Sequence, residues 1–390
     1  MKIYMNYGRR FLGVLSGTTI QALVNFSFFT GLSLILSPVH FGDFAFAYTI
    51  IFFIIPFLDF GATTYLLSKN NTVEEVNNYL NFIILISFLF LSFFLFYNIS
   101  YFFVTLASIT FLLIQYFHSY MIKFKQVKMQ MKFAFIYGLF KVLAFILIFY
   151  FSNDKESIDF IILIIAISNI LSLLPFIKRV KYHWSIKIGF FNKYFKSVSW
   201  IGFSGILAII LMRFDQIIMG KFLDIEYLGF YLISIQWLTI ISLISNSLLK
   251  FSFSELENVS LKKYLTYLKN KTKIINLTLV VFFTTFLCIS SIITFFLYEN
   301  LIIIQSIIII SIGFLFSIKF NFYSIILYKT NNTKKLFSIQ LYQFLIQVTF
   351  IYVSFPSLGY YSFPVAFSLI RIFGYVYIQR FCEKRAKLSY

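Results

Sequence analysis

Six ionisable residues lie deep inside apolar runs of this sequence, where a charge is costly. They are two acids and four bases: Asp59, Asp215, Lys141, Arg213, Lys319 and Arg371. A charged side chain at the centre of a membrane-spanning helix costs about 2.5–3.5 kcal/mol on insertion scales, so such residues normally face a bundle interior or a wet cavity. The surplus of two positive charges suits an anionic substrate, because Arg and Lys are the natural partners of phosphate groups.

Two of these residues share the stretch "ILMRFDQIIMGKFLD" (210–224). Residues two apart on a helix diverge by about 200°, so Arg213 and Asp215 cannot pair with each other and need other neighbours or a ligand. A role in a substrate cavity is one interpretation of both. The structural alternatives stay open. Arg213 is near enough to the outer end of its span for partial snorkelling to the membrane surface, and Asp215 can form a hydrogen bond with a neighbouring helix.

The remaining buried charges differ in how easily they reach water. Lys141 and Arg371 fall near the centres of their apolar runs, which favours a position lining a cavity. Lys319 lies nearer the cytoplasmic end, so snorkelling and cavity lining are equally good interpretations. Asp59 precedes a glycine in "FLDFGATTYLL" and is either a helix-packing feature or a proton site. Asp59 and Asp215 are therefore the candidates for binding an ion, H⁺ or Na⁺.

Uncharged polar residues recur on single helix faces. Gln21 and Asn25 are spaced i, i+4 in the first apolar run, and Gln340, Gln343 and Gln347 share a face near the C-terminus. They fit either hydrogen bonds between helices or contacts to sugar hydroxyls. Two distant cysteines and three scattered histidines offer no disulfide framework or metal-ligand spacing. We expect no metal or organic cofactor.

The surroundings of these residues identify the class of protein. The chain has 390 residues, of which 60% are hydrophobic and only 12% are charged, whereas soluble domains carry about 25% charged residues. Runs such as "FIILISFLFLSFFLF" (82–96) are apolar on every face. We predict an all-α, polytopic membrane protein, because a transmembrane barrel would show alternating segments of about ten residues instead.

The apolar runs define about twelve spans of roughly 20 residues each. They are 11–36, 44–67, 80–97, 101–121, 133–151, 159–177, 197–219, 228–250, 274–297, 301–328, 336–354 and 362–380. With both termini placed in the cytoplasm, 27 of the 33 basic residues fall on the cytoplasmic side, as the positive-inside rule requires. The net charge of +19 is thus mostly a topology signal, and nucleic acid is not predicted as a partner.

A weak internal repeat divides the chain in two. "LVNFSFFTGLSLILSPVHFGDFAFAY" (23–48) aligns with "IILMRFDQIIMGKFLDIEYLGFYLIS" (210–235), which superposes Gly42 on Gly229. With six spans on each side of the 178–196 loop, this predicts two pseudo-symmetric six-helix bundles around a central cavity, with lobes at 1–190 and 191–390. Parallel halves of this kind are a common transporter design.

The sequence resembles the O-antigen and polysaccharide flippases (Wzx type) of the multidrug/oligosaccharidyl-lipid/polysaccharide exporter superfamily. The resemblance rests on "HFGDFAFAYTIIFFIIPFLDFGATTYLLSK" (40–69), with a turn glycine, a long apolar run and a "DFG" step. It rests also on "RFDQIIMGKFLDIEYLGFYLIS" (213–234), with its charged pair, acidic turn and Gly-aromatic step. It implies that Arg213 and Asp215 belong to a central cavity.

The resemblance also implies a function and a location. Members flip undecaprenyl-pyrophosphate-linked oligosaccharides, the repeat units of O-antigen (lipopolysaccharide) or capsule, to the outer leaflet of the bacterial cytoplasmic membrane. The expected partners are this substrate, membrane lipids, a polysaccharide polymerase and a chain-length regulator, and the protein is not expected to be an enzyme. Two alternatives stay open: a multidrug exporter of the same superfamily, and a membrane-embedded polysaccharide polymerase or glycosyltransferase.

Overall fold

The computed structural model describes residues 2–68, 73–124, 126–151, 158–177, 188–238, 261–329 and 332–388, and within these ranges all regular structure is helical. The first six helices are α1 (Lys2–Ile35), α2 (Pro38–Asp59), α3 (Ala62–Ser68), α4 (Val73–Tyr97), α5 (Ile99–Lys123) and α6 (Val127–Phe151). They are followed by α7 (Ile158–Ile177), α8 (Ile188–Phe222), α9 (225–238), α10 (Leu261–Tyr298), α11 (Leu301–Lys329), α12 (Thr333–Leu358) and α13 (Ser362–Leu388).

Each of the twelve predicted spans coincides with helical structure. The second span is broken into α2 and α3, and the eighth is described only as far as residue 238. Within the described ranges nine stretches are long and apolar enough to cross a membrane, and the longest, Thr333–Lys384, contains both α12 and α13. In α1 the described apolar stretch is shorter, at Thr19–Ile35. The prediction of a polytopic helical membrane protein is confirmed.

The outer surface is built from large apolar side chains. Phe96 at the end of α4 is 89% exposed, and Phe88 on the same helix and Phe296 on α10 are also largely exposed. A soluble protein rarely leaves such a surface uncovered, because exposed apolar patches of this extent promote association. These faces are therefore the ones that meet lipid.

The break between α2 and α3 has a local cause. Pro56 lies within α2, and the helix ends with Phe60 in the left-handed conformation (φ 40°), followed by Gly61 (φ 78°). Left-handed backbone is strained for most residues but not for glycine. The site also needs a small residue, because a Cβ on Gly61 would lie 2.9 Å from the backbone nitrogen of Gly202 in α8. The chain thus approaches α8 closely at this break.

The described chain forms two compact units, Met1–Gly229 and Phe230–Tyr390. In the first unit, α1 packs on α6, α6 on α7, α5 on α7, α2 and α4, and α2 on α8. Glycines permit the close approach of α1 and α6: Gly31 lies against Phe145, and Gly138 lies against Val24. The predicted lobes at 1–190 and 191–390 stay a prediction.

In the second unit, α13 packs on both α11 and α12, and α10 packs on α11. α12 turns back into α13 through Gly359 (φ 50°) and the short 3₁₀ segment Gly359–Tyr361. α11 and α13 meet at Gly313, whose backbone nitrogen donates to the Ser368 hydroxyl. The four helices α10 to α13 thus each pack on a neighbour within the second unit.

The two glycines that the sequence repeat superposes lie against each other. A Cβ added to Gly229 would lie 3.5 Å from the Cα of Gly42, at the start of α2. Gly42 is itself pressed against the backbone carbonyl of Ile225, in the first turn of α9. The corresponding turns of the two repeats, α1–α2 and α8–α9, therefore contact each other through residues that have no side chain.

Candidate functional site

Lys141 is the most deeply buried base in the described chain, with a side chain that is 2% exposed. Its ammonium nitrogen lies over three aromatic rings, 5.2 Å from the centroid of Phe28, 5.3 Å from Phe111 and 5.5 Å from Tyr137. In the described part of the chain these rings are its electrostatic partners, and no carboxylate forms an ion pair with it. Cation–π contacts return about 0.5–2 kcal/mol each but leave the charge unneutralised.

The three rings around Lys141 form what we call the Lys141 cage. One of them also contacts a predicted polar residue. Tyr137, on α6, donates a hydrogen bond of 2.7 Å from its hydroxyl to the amide oxygen of Asn25 on α1. Gln21 lies one turn earlier on α1, and its amide nitrogen is buried without a hydrogen-bond partner in the described residues. The structure therefore brings Gln21 and Asn25 to the same helix pair, α1 and α6, that carries Lys141.

Arg213 is linked to Lys141 through two aromatic side chains whose rings are tilted against each other. Its guanidinium carbon lies 5.1 Å from the ring centroid of Phe52 on α2. The centroids of Phe52 and Phe111 are 5.1 Å apart, and Phe111 also forms one wall of the Lys141 cage. We call Phe28, Phe52, Phe111, Tyr137, Lys141 and Arg213 the cation–aromatic cluster. It joins α1, α2, α5, α6 and α8 within the first unit.

Two residues that the sequence alone did not suggest hold Arg213 in place. Its guanidinium donates a 2.8 Å hydrogen bond to the side-chain oxygen of Gln216, and the Thr49 hydroxyl lies 2.8 Å from the same oxygen. Gln216 follows Arg213 by three residues on α8. Helix side chains at this spacing meet, so the contact between the two was predictable from the sequence. Thr49 is on α2, and nothing in the sequence indicates that it faces α8.

Asp215 is fully buried on the same helix. One carboxylate oxygen accepts a hydrogen bond of 2.9 Å from the backbone nitrogen of Gln216. The guanidinium of Arg213 contacts Phe52 and Gln216. Arg213 and Asp215 thus both contact Gln216, Arg213 at its side-chain oxygen and Asp215 at its backbone nitrogen.

Asp59 stabilises the break between α2 and α3. Its two carboxylate oxygens accept hydrogen bonds from the backbone nitrogen of Thr63 (3.1 Å) and from the Thr63 hydroxyl (2.9 Å). The first turn of a helix leaves backbone N–H groups without partners, so a carboxylate at this position satisfies one of them. This contact accounts for the burial of Asp59. Its role as an ion-coupling group stays a prediction.

The second unit carries the other two bases. The ammonium of Lys319 lies 5.4 Å from the ring centroid of Phe316 on α11 and 5.6 Å from that of Tyr375 on α13. The guanidinium carbon of Arg371 lies 5.0 Å from the Phe367 ring, one turn earlier on α13. Both bases are half-buried. The structure thus places two of the four membrane bases in the first unit and two in the second.

The predicted glutamines on α12 differ in what they contact, and Gln343 faces α13. Gln343 donates a hydrogen bond of 2.8 Å to the backbone oxygen of Ile370, and its amide fills the space that a side chain at Gly374 would occupy. This favours the structural interpretation of Gln343. Gln347 is fully buried, and both atoms of its amide lack a hydrogen-bond partner among the described residues. Gln347 therefore retains polar capacity that a ligand or water can use.

Nothing in the described ranges resembles a metal centre, since they contain no cluster of three His, Cys, Asp or Glu side chains. The chemistry that the arrangement supports is electrostatic and aromatic recognition. In the first unit, two cations are presented on a surface of four aromatic rings, inside a bundle of apolar helices. These features are those of a polytopic membrane protein, and two cations held on aromatic rings are a combination whose chemistry suits an anion.

The sequence comparison supplies the family. The pattern of the family described as "Polysaccharide biosynthesis protein" matches residues 32–264, more than half of the chain, and the chain belongs to this family. The match includes Lys141, Arg213 and their aromatic neighbours from Phe52 onward. No curated protein sequence matches the chain significantly. The resemblance to polysaccharide flippases is thus confirmed at the level of the family.

Solved structures with a similar fold include transporters of the MATE type. A MATE protein solved in complex with MaL6 superposes with a TM-score of 0.68 at 10% identity, covering 98% of this chain and 96% of the other. An outward-facing multidrug resistance MATE transporter of the MOP superfamily gives 0.67 at 11% identity, covering 98% and 95%. The Vibrio cholerae MATE transporter VcmN, solved as a mutant, gives 0.67 at 11%, covering 99% and 98%. At this identity the likeness establishes the fold.

Proposed function

We propose that this protein is a transporter that flips undecaprenyl-pyrophosphate-linked oligosaccharides, the repeat units of O-antigen or capsule, across the bacterial cytoplasmic membrane. The observation that carries the proposal is the state of Lys141, which is buried among rings with no carboxylate to neutralise it in the described chain. A buried cation of this kind is costly unless a ligand supplies the missing anion. The family to which the chain belongs supports a ligand from polysaccharide synthesis.

The proposed substrate explains why two cations are needed. A diphosphate cannot enter about 30 Å of hydrocarbon without losing its hydration, at a cost far above the energy of ordinary binding. Lys141 and Arg213 offer an ammonium and a planar guanidinium, and the latter binds phosphate oxygens through two parallel hydrogen bonds. The polyprenyl tail stays in lipid, where the apolar outer faces of the helices are compatible with it. Alternating access then delivers the headgroup to the opposite leaflet.

The fold also supports a second candidate, a multidrug exporter, because similar solved structures include a multidrug resistance transporter. An organic cation, however, would meet repulsion from Lys141 and Arg213. The acid Asp59 is already engaged by Thr63. Lys141, which contacts rings and no described carboxylate, therefore favours an anionic substrate over a cationic one.

An enzyme of polysaccharide synthesis fits the described chain less well. Membrane polymerases need a substantial loop outside the membrane to carry catalytic groups. Here α1–α2, α4–α5, α8–α9, α10–α11 and α12–α13 are joined by one to three residues. A catalytic domain needs on the order of 100 residues. Polymerization is thus assigned to a separate partner, and we propose a polysaccharide polymerase and a chain-length regulator as neighbours of this transporter.

The proposal includes a membrane topology and a coupling ion. Both termini lie in the cytoplasm of a bacterial cell, and no cofactor takes part other than a coupling ion, H⁺ or Na⁺. Asp59 and Asp215 are the two acids proposed to couple transport to this ion.

The proposal is tested by reconstituting the purified protein in vesicles with a fluorescent polyprenyl-diphosphate oligosaccharide and measuring its transfer between leaflets by dithionite quenching. We expect transfer by the wild type, loss of about tenfold or more in Lys141→Gln, and partial retention in Lys141→Arg, because one charge-assisted hydrogen bond contributes about 1.5–3 kcal/mol. Lys132→Gln is the matched control, since Lys132 is an exposed lysine of the same helix. Equal rates for Lys141→Gln and the control would refute the proposal, as would transfer of a fluorescent organic cation in place of the oligosaccharide.

A further inference from the structure

Gln216 stands out among the polar residues of the first unit because its side-chain oxygen has two neighbours that donate hydrogen bonds. Arg213 donates to this oxygen along α8 at 2.8 Å, and Thr49 approaches it from α2 at 2.8 Å. Gln216 is 1% exposed and Thr49 is fully buried. The side-chain nitrogen of Gln216 makes a longer bond of 3.3 Å to the backbone oxygen of Met212.

We propose that Gln216 and Thr49 are positioning residues, which fix the Arg213 guanidinium on the Phe52 ring in the orientation that binds a lipid diphosphate. The inference rests on the proposed function and adds two residues to its binding site. Neither residue is charged, and neither is required to touch the substrate.

The geometry constrains Arg213 from two directions. The Phe52 ring supports the face of the guanidinium at 5.1 Å, and Gln216 takes one donor on its edge. An arginine side chain has many rotamers, and fixing it costs about 1.5–2 kcal/mol of conformational entropy. The contacts to Phe52 and Gln216 offset this entropy loss before the substrate binds. The planar guanidinium of Arg213 is therefore preorganised for an anion.

Thr49 sets the position of Gln216 in turn. The Thr49 hydroxyl also lies 2.8 Å from the backbone oxygen of Ala45, one turn earlier on α2. A hydroxyl has one proton, which is shared between these two acceptors. The arrangement ties Gln216 on α8 to the backbone of α2, the helix that also carries Phe52. Both supports of the Arg213 guanidinium are therefore anchored to the same helix.

A double-mutant cycle separates positioning from a merely structural role. Binding of farnesyl diphosphate, a short polyprenyl diphosphate, is measured by calorimetry on the full-length protein in lipid nanodiscs. We expect Gln216→Leu to weaken binding about tenfold, since the lost hydrogen bond involves a charged group. We expect Gln216→Leu to have no further effect in an Arg213→Ala background, because its contribution passes through Arg213.

Conservative variants keep the test decisive where a substitution harms folding. Thr49→Ser keeps the hydroxyl and should bind like the wild type, whereas Thr49→Val, of the same shape, should weaken binding. Gln216→Glu keeps the acceptor for Arg213 and Thr49 but neutralises the guanidinium, so it should fold normally and still lose affinity. Gln130→Leu is the matched control, because Gln130 is an equally buried glutamine of the same unit, on α6.

The outcomes distinguish this inference from the proposed function. If the wild type binds farnesyl diphosphate and Gln216→Leu weakens binding equally with and without Arg213, the positioning role is overturned while the proposed function stands. If Gln130→Leu weakens binding as much as Gln216→Leu, the effect is one of general packing and the inference is also overturned. If the wild type itself does not bind farnesyl diphosphate, the proposed function fails.

Discussion

At the residue scale, the first unit contains cations that are stabilised by aromatic faces. Lys141 contacts three rings, Arg213 contacts one, and the Phe52–Phe111 pair connects them. A carboxylate in this position would neutralise the cation and close the site to an anionic ligand. Rings supply electrostatic attraction while leaving the positive charge available, which is the property that a binding site for a phosphate group requires.

Phe111 is the residue on which the cluster depends most, since it contacts both Lys141 and Phe52. We expect Phe111→Leu to lower the free energy of unfolding by about 1–2 kcal/mol, from lost packing and a lost cation–π contact, and to slow transport. The measurement is thermal unfolding of the purified protein in detergent, together with leaflet transfer in vesicles. Phe93→Leu on the exposed face of α4 is the control and should leave both quantities near wild type. Identical effects of the two substitutions would contradict the account.

At the element scale, α2 and α8 form the framework of the site. α2 provides Thr49 and Phe52, α8 provides Arg213 and Gln216, and the two helices pack on each other. They approach closely just beyond the end of α2, at Gly61 and Gly202. Because backbone atoms of the two segments meet there, small shifts of α2 against α8 would be transmitted to the residues that hold Arg213.

Two glycines on α8, three residues apart, test this close approach. A Cβ on Gly202 would lie 2.9 Å from the backbone oxygen of Phe60, whereas a Cβ on Gly205 would meet nothing within 4 Å. Alanine favours a helix by about 0.8–1 kcal/mol over glycine, so we expect Gly205→Ala to raise thermal stability. Gly202→Ala should lower it despite the same gain in helix propensity, because backbone atoms must move. Parallel changes in the melting temperatures of the two variants would show that α2 and α8 do not meet as described.

At the scale of the whole molecule, the sequence was sufficient to predict the class of fold. Apolar runs of about 20 residues mark membrane helices because the thickness of the bilayer sets their length, and each of the twelve runs is helical in the part that the structure describes, apart from the break at residues 60–61. The break at Phe60 and Gly61 was harder to see, since the apolar run continues across it. Its cause is a pair of residues in the left-handed backbone conformation and a contact with α8. The hydrophobic pattern of the sequence reveals neither.

The candidate site was predictable only in part. Lys141 and Arg213 attract attention as charges in apolar surroundings, and that signal is local in the sequence. Their aromatic neighbours are hidden among 56 phenylalanines and 27 tyrosines, nearly all of which serve packing or contact with lipid. Thr49 and Phe52 become site residues only because α2 packs on α8. Such partnerships depend on tertiary contacts between segments more than 150 residues apart.

The predicted topology of the molecule is open to a direct test. α7 (Ile158–Ile177) is a single membrane helix, so its two ends must lie on opposite sides of the membrane. We expect an alkaline phosphatase fusion after Phe151 to be active outside the cytoplasm and a fusion after Ile177 to be inactive. A green fluorescent protein fusion should show the reverse pattern, since it folds in the cytoplasm. Active phosphatase at the second position would reverse the proposed orientation.

The central claim is that a lipid diphosphate binds at the cation–aromatic cluster inside the first unit. Photocrosslinking tests it most directly, with a polyprenyl diphosphate that carries a diazirine beside the phosphates and mass spectrometry of the labelled peptides. We predict labels on α6 around Lys141 and on α2 and α8 around Phe52 and Arg213, removed by excess unlabelled diphosphate and reduced in Lys141→Gln. Labels confined to the lipid-exposed faces of α4 and α10, and insensitive to competition, would contradict it.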